Sequence, residues 1–442
     1  MPPLSYCQAM HNLRQPTRPS LFDDTVCDAN HGSPGPFPIL PTELIALVLE
    51  HVKDDYSALF TLSLTNRFMN EATQPVLYRS IHSGVITTRT RMPRNGNDAL
   101  ASVVGNCSLA RYVLEYTLED TIEKQFSNFA TRRCPRPGLQ MVTSNLRPAL
   151  HAMVNLKHLS VQTYSTDKWN LLDFGPSPPN STPTVDIFQL ETFSWIGHTR
   201  DASSSSYASL SSFLMTQRKL RRVQAQLNGQ NNDYRIGDMT RSQPQTPIPP
   251  KACPDLEWII GNRGTIEALL PGRKVTIVVW KPCWSDARGS IAFLAKELSR
   301  LRVLSLHDSG FLAPIPPVFE MAKYLQNLKY LEVHNTDFDS LEWVKVLPVI
   351  CGLVLNDDRN RNRPFNTPKR REQAANLFVE CPTLEFIAVE LLDSLKNNFE
   401  WWDRFDSDSD VEQCEDRVSG TGWEPKYVKY SYCERIIYPS IS

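Results

Sequence analysis

The sequence predicts an α/β protein in which a short helical unit precedes a solenoid of repeated strand and helix segments. Two observations lead to this prediction. Between Pro38 and Ile81, apolar residues recur every three to four positions, which is the spacing of an amphipathic helix. From about residue 100 onward, the pattern Leu-x-x-Φ-x-Φ, where Φ is apolar, returns repeatedly and usually follows a helical pattern.

The composition is that of a globular chain too long for one small core. It has 442 residues, of which 41% are hydrophobic and 21% charged, and its formal net charge is -1. A chain so close to neutrality has no overall field that favours nucleic acid or a membrane, so neither is an expected partner. Residues 1–20 lack the apolar segment of a signal peptide, and no run approaches the ~18 apolar residues of a membrane helix. We therefore expect a cytoplasmic and/or nuclear protein.

Motifs for catalysis or metal binding are missing from the sequence. The ten cysteines are scattered without a CxxC pair, and no GxxxxGK[ST], GxSxG or HExxH motif occurs. The triplet Asp406-x-Asp408-x-Asp410 begins like a calcium loop, but Val411 and Arg417 replace the glycine and glutamate that such a loop needs. The sequence therefore predicts a protein that is not an enzyme, with no metal and no cofactor.

Three short helices are predicted in residues 37–82. Pro41 suits the start of the first because its φ is already helical, and an apolar stripe of about three turns follows it. Asp54 and Asp55 interrupt this stripe with good N-cap residues, and two further apolar segments follow. So small a unit buries little surface, and part of the stripe is expected to contact a partner. The alternative is that the stripe is only the core of a helical cap.

The same stretch resembles the F-box family, in the form found in many fungal proteins. Order and spacing both match at Leu40-Pro41-x-Glu43-Leu44, at Leu62, Leu64, Asn66 and Arg67, and at Pro75-x-Leu77-Tyr78-Arg79-x-Ile81. Thr65-Asn66 and Phe68 stand where the family often has Val-Cys and Trp. The resemblance implies docking on the adaptor subunit of a cullin-based ubiquitin ligase. The implied adaptor-contact residues are Leu40, Pro41, Leu44, Val48, Leu49, Leu59, Leu62 and Leu64.

The repeated pattern predicts parallel strands that stack side by side. Period-2 alternation sends its Leu and Φ side chains into a core, and one repeat cannot bury this face without neighbours. Several copies are spaced close to the ~20–29 residues of leucine-rich repeats. Clear copies begin at residues 156, 190, 220, 256, 301, 328, 350 and 384, and weaker copies span Leu109–Leu114 and Val275–Trp280. The alternative is an ordinary α/β domain with a doubly wound sheet.

This region also resembles the leucine-rich arrays that follow F-boxes in fungal proteins. The fold class predicted is therefore an N-terminal three-helix F-box-like unit and then an irregular leucine-rich-repeat solenoid with a parallel sheet on its concave face. The predicted segments are a disordered arm (1–36), the F-box-like domain (37–82), a linker (83–100), the leucine-rich-repeat-like domain (101–398), an acidic loop (399–420) and a C-terminal capping strand (421–442).

Positions between the Φ residues should face outward and bind a target protein. Aromatic residues and arginine among them suit binding hot spots. The predicted target-binding residues are His158, Gln162, Arg222, Gln224, Trp258, His307, Tyr330, Glu332 and His334. The function predicted is substrate recognition for a cullin-type ubiquitin ligase. A non-catalytic binding scaffold with no ligase role is the alternative, and a hydrolase or transferase would need a catalytic constellation not found in the sequence.

The sequence assigns no single role to two charged segments. Residues 359–371 are basic and would suit a nuclear-import signal or an acidic partner, whereas a solvated loop is the simpler interpretation. Ser407 and Ser409 lie among aspartates, where phosphorylation would add about -2 charges each.

Overall fold

A computed structural model gives the structure of the chain. It describes residues 41–84, 95–119, 146–163, 188–197, 204–225, 247–282, 290–307, 318–334, 341–356, 367–391, 398–404, 426–429, 436 and 438. The chain divides into two compact units, residues 1–190 and 191–442. Leu40, the predicted arm 1–36, and Ser407 and Ser409 lie outside the described residues.

Among its described residues, the unit of residues 1–190 has three helices first and parallel strands after them. Asp55 caps the second helix by accepting a hydrogen bond from the Ala58 N–H at 3.0 Å, and Asn66 caps the third through the Met69 N–H at 2.8 Å. The third helix packs against both others. The elements are α1 (Thr42–His51), α2 (Tyr56–Ser63), α3 (Arg67–Leu77), β1 (Ser80–Gly84), α4 (Asn95–Gly105), α5 (Cys107–Ala110), β2 (Glu115–Glu119) and β3 (His158–Thr163).

Two predicted boundaries in this unit are wrong. The predicted linker 83–100 is interrupted, because β1 runs to Gly84 and α4 begins at Asn95. The weak repeat copy Leu109–Leu114 precedes its strand, since Leu109 is helical and β2 begins at Glu115. The buried side chains of β2 are aromatic as well as aliphatic. The repeat pattern of this strand therefore lies a few residues after the predicted copy.

The unit of residues 191–442 is an open, mostly parallel sheet whose strands follow one another in chain order. Each pair of successive strands from β4 to β11 is parallel, whereas β11 with β12 and β12 with β13 form antiparallel pairs. The strands are β4 (Thr192–Gly197), β5 (Arg222–Ala225), β6 (Trp258–Gly261), β7 (Ile277–Trp280), β8 (Val303–Leu306), β9 (Tyr330–His334), β10 (Gly352–Asn356), β11 (Phe386–Leu391), β12 (Asn398–Asp403) and β13 (Lys426–Lys429).

Helical segments separate several of these strands, so the predicted α/β class is confirmed for the described residues. Each clear copy of the repeat pattern enters one strand, as Leu301 and Leu304 do for β8, and both side chains are fully buried. The helices are α6 (Ser204–Thr216), α7 (Arg263–Leu269), α8 (Ala295–Leu298), α9 (Val318–Ala322) and α10 (Thr367–Glu380), with short 3-10 helices at Ala292–Leu294 and Glu342–Val346.

The prediction that one sheet face is open is wrong for the strands from β6 onward. In β5 buried and half-buried residues alternate, whereas β6, β7, β8 and β10 are buried on both faces. Parallel strands covered on both sides show this continuous burial. The second face forms a cluster that includes Trp258, Val354, Phe386, Trp401 and Tyr438.

The start of the predicted acidic loop, 399–420, is also corrected. Residues 398–403 form β12, and Phe399, Trp401 and Trp402 are buried. The apolar rings decide the local structure here, because burying them outweighs the solvation of the neighbouring carboxylates. Among the described helices, none is both long enough and apolar enough to cross a bilayer.

Candidate functional site

Helix α1 carries two apolar stripes with opposite environments. Ile45 and Leu49, four residues apart, are buried against the rest of the helical unit. Leu44, Leu47 and Val48 also share one helix face, since they are three and four residues apart, but they are 47%, 66% and 52% exposed. The helix therefore presents a second apolar stripe that the described chain leaves open to solvent.

This stripe belongs to a wider concentration of exposed apolar side chains in the helical unit. Elsewhere in the described chain the large exposed hydrophobic residues are scattered, and such scattering is normal for protein surfaces. We define the apolar helix surface by its exposed members, which are Leu44, Leu47, Val48, Tyr56, Leu64 and Phe68.

The predicted adaptor-contact residues fall into different environments. Leu49 and Leu59 are buried and serve the core of the helical unit, whereas Leu62 is half-buried. Exposed members are Pro41, Leu44, Val48 and Leu64. Sequence reasoning missed Leu47, although its spacing of three from Leu44 on a helix would have placed it on the same face.

One hydrogen bond and one ion pair connect the helical unit to the chain at the start of β1. The Tyr56 hydroxyl donates to the backbone carbonyl of Ser80 at 3.1 Å. The Arg79 guanidinium lies 3.6 Å from the Glu50 carboxylate. These contacts bring α1 and α2 to β1 within the unit of residues 1–190.

The predicted target-binding residues of β3 and β5 are half-buried. This holds for His158 and Gln162 in β3 and for Arg222 and Gln224 in β5. These four residues therefore keep part of their surface accessible, and their role in target binding stays a prediction.

Trp258, expected to face solvent, is instead sandwiched between two side chains. The Arg222 guanidinium lies 4.0 Å from the centroid of its ring, and the Tyr438 ring stacks on it at 5.1 Å between centroids. The cation attracts the electron-rich face of the indole, and the second aromatic ring excludes water. Only 7% of Trp258 is exposed as a result.

Three of the four remaining predicted target-binding residues form a largely buried polar group. Glu332 is 1% exposed and therefore does not face solvent as expected. Its Oε1 accepts from Asn356 Nδ2 at 3.0 Å and lies 3.4 Å from His334 Nε2, and its Oε2 accepts from the Tyr438 hydroxyl at 2.9 Å. The His307 and His334 rings stack with centroids 3.8 Å apart. We call His307, Glu332 and His334 the histidine–glutamate cluster.

Strand register explains why these residues meet. Glu332 and His334 are two residues apart on β9 and so share one face. His307 directly follows β8, whose Leu306 pairs with Val333, so it comes beside His334. Tyr330, also on this face of β9, is half-buried near the ring of Phe386.

Burial and neighbouring charges set the protonation of the cluster. Burial, the nearby His334 and Lys281 together lower the pKa of His307 to about 4, against the opposing pull of Glu332. Burial alone would raise the pKa of Glu332, but the hydrogen bond and charge of His334 outweigh it and lower the pKa to about 2. At neutral pH the carboxyl of Glu332 is ionised and the imidazole of His307 is neutral.

Mild acid should destabilise the fold through His307. Because the pKa of His307 is about 4 in the folded chain and about 6.5 in an unfolded chain, the unfolded state binds more protons between these values. The stabilisation is complete above pH 6.5 and is lost as the pH falls toward 4, by about 3 kcal/mol at most. Urea unfolding followed by tryptophan fluorescence at pH 7 and pH 5 measures it.

His307→Gln provides the control for this effect. Glutamine does not titrate, so the unfolding free energy of this variant should fall less between pH 7 and pH 5 than that of the wild type. An identical loss in both proteins would show that His307 does not carry the pH dependence.

Comparison with known proteins adds no assignment. The chain matches no model of a known protein family, and a search of curated proteins found no match. The functional argument therefore rests on the residues described above.

Proposed function

We propose that this chain is a substrate-recognition subunit of a cullin-type, SCF-like ubiquitin ligase. In this proposal the three N-terminal helices form an F-box domain that docks on the ligase adaptor, and through it on the cullin. The strands that follow form a leucine-rich-repeat solenoid that binds a target protein. The chain itself supplies no chemistry, because tethering a target raises its effective concentration at the partner enzyme.

The observation that carries the proposal is the double stripe of α1. A helix that only capped a solenoid would need one buried stripe, which Ile45 and Leu49 already provide. The second stripe of Leu44, Leu47 and Val48 leaves apolar area in water that a partner would bury. It lies in the Leu-Pro-x-Glu-Leu segment and the turns directly after it, where the resemblance to F-box proteins implies adaptor contact.

The order of strands supports the solenoid part of the proposal. In the unit of residues 191–442 the strands lie in chain order without a reversal, and each strand pairs only with its sequence neighbours. Doubly wound sheets, the alternative, place the chain on both sides of a starting strand. Stacking of successive repeats gives sequential order directly.

Target binding would fall on the accessible members of the predicted set. His158 and Gln162 on β3 are half-buried, and so are Arg222 and Gln224 on β5. Trp258 and Glu332 are buried, so they support their neighbours and do not themselves offer a free surface.

A pull-down of the full chain with purified ligase adaptor tests the proposal. We expect the wild type to bind and Leu44→Asp to lose at least 100-fold in affinity. Burying a leucine is worth about 1.5–3 kcal/mol, and a carboxylate left unpaired in an apolar contact adds a desolvation cost. Circular dichroism of both proteins should show the same folded chain, since Leu44 is exposed.

Val379→Asp is the matched control for this substitution. Val379 is 81% exposed on α10, so the change places the same charge on an exposed apolar helix position outside the apolar helix surface. It should bind the adaptor like the wild type. A folded wild type that fails to bind would overturn the ligase proposal.

That failure would favour the second candidate, a binding scaffold in which α1–α3 only cap the array. The contacts of Tyr56 with Ser80 and of Arg79 with Glu50 are what a cap needs. The scaffold reading leaves the exposed stripe of α1 without a role, which is why it ranks second.

A further inference from the structure

We propose that His307, Glu332 and His334 bind a divalent transition-metal ion such as Zn²⁺. Two imidazoles and one carboxylate form a ligand set that suits zinc and other first-row metals. The proposal goes beyond the ligase function and does not depend on it. The sequence showed no metal motif because the ligands come from two strands and are brought together by register.

The positions of the ligand atoms carry the proposal. One nitrogen of each imidazole and one carboxylate oxygen lie within 4.8 Å of one another. Tetrahedral coordination with bonds of 2.0–2.2 Å separates ligand atoms by about 3.3 Å. His334 Nε2 and Glu332 Oε1 are already 3.4 Å apart. His307 supplies the third ligand atom, within the same 4.8 Å.

The surroundings of Glu332 resemble the supporting shell of a metal ligand. Tyr438 and Asn356 each donate to one of its carboxylate oxygens and fix its orientation. Outer hydrogen bonds of this kind orient ligands and tune their affinity. Tyr438 is also buried and stacked on Trp258, so the carboxylate is held by a rigid group.

Asn356 adds an oxygen atom beside the histidine–glutamate cluster. The amide oxygen of Asn356 is buried and accepts no hydrogen bond within the described part of the chain. A buried polar atom without a partner is costly, and a metal ion or its bound water would satisfy it. Asn356 pairs with His334 in the strand register, which places this oxygen beside the cluster.

Titration of the full chain with Zn²⁺ after chelator treatment tests the proposal, with calorimetry as the readout. We expect a site of 1:1 stoichiometry that weakens at least tenfold in each of His307→Ala, His334→Ala and Glu332→Gln. Co²⁺ in place of Zn²⁺ should give the absorption of a nitrogen and oxygen site, distinct from the thiolate bands that cysteine sites would produce.

His151→Ala is the matched control, because His151 is exposed and lies outside the cluster, and it should bind like the wild type. Lys281→Met removes a cation near His307 and should bind at least as tightly. If Glu332→Gln fails to fold, His307→Gln decides the question, since His307 is only partly buried. No 1:1 binding, or binding that survives loss of either histidine, would mean that the cluster is a structural ion pair only.

Discussion

Replacing Arg273 with methionine should lower the free energy of unfolding of the unit of residues 191–442 by at least about 3 kcal/mol. Arg273 is 2% exposed, and its guanidinium donates to a ring of backbone carbonyls. Methionine fills similar space but removes these hydrogen bonds, at a cost of about 1–3 kcal/mol for each buried acceptor that is left without another partner. The acceptors are the carbonyls of Ile248, Pro249, Ala252, Leu269 and Pro271.

The expected effect is large because Arg273 joins two segments through several buried hydrogen bonds. It links residues 248–252, which precede β6, to the end of α7. The first segment belongs to the connection between β5 and β6, and the second to the connection between β6 and β7. Without the guanidinium, the carbonyls that lose their partner must find water, and the packing of one connection on the other would weaken.

Urea unfolding followed by tryptophan fluorescence measures this change, because eight of the nine tryptophans lie in residues 191–442. Arg221→Met is the control. Arg221 makes two hydrogen bonds of 2.9 Å with Glu257, but the pair is exposed, so its loss should cost less than about 1 kcal/mol. Equal losses for the two variants would contradict the role assigned to Arg273.

Leu59→Ala should destabilise the helical unit strongly, whereas Leu44→Ala should hardly change its stability. Leu59 is fully buried, so truncation leaves a cavity and costs about 2–5 kcal/mol. Leu44 is exposed on the same small unit, and its truncation should change stability by less than about 0.5 kcal/mol. Both residues are leucines, and they differ only in how far the fold buries them.

Hydrogen exchange of peptides from residues 42–77 gives the local readout that this comparison needs. Leu59→Ala should raise the exchange rate through α1, α2 and α3, whereas Leu44→Ala should leave it close to that of the wild type. Fast exchange in both variants would mean that Leu44 also belongs to the core.

Much of the local structure was predictable because it depends on short-range patterns. The predicted cap residue Asp55 and the apolar spacing on both sides of it define three helices within 40 residues. The repeat pattern located the strands because alternation of buried side chains is local to each strand. The weak copy at Leu109–Leu114 failed since Tyr116 takes an aliphatic position in β2.

The sequence did not predict that the outward face of the sheet is buried. Trp258 and Glu332 occupy positions that period-2 alternation assigns to the solvent side. They are buried because Tyr438 covers them, and its hydroxyl reaches Glu332 across 106 residues of sequence. A contact between positions so far apart leaves no local pattern, and only the folded chain reveals it.

The sequence predicted the residues of the candidate site but not their contact with one another. His307, Glu332 and His334 were all identified as residues of one sheet face. Their direct contact depends on the pairing of Leu306 with Val333, and a shift of one residue would separate them. Likewise, the sequence marked the stripe of α1 but could not divide it into Ile45 and Leu49 on one side and Leu44 and Val48 on the other.

The sequential strand order has a consequence for the kinetics of folding. Within residues 191–442, nearly every hydrogen-bonded ladder joins segments that are close along the chain. Short loop closures cost little entropy, so assembly can begin at any adjacent pair of strands and spread outward one segment at a time. Lengthening a connection between two strands then slows a single step and leaves the rest of the ladder unaffected, which makes such a chain tolerant of insertions.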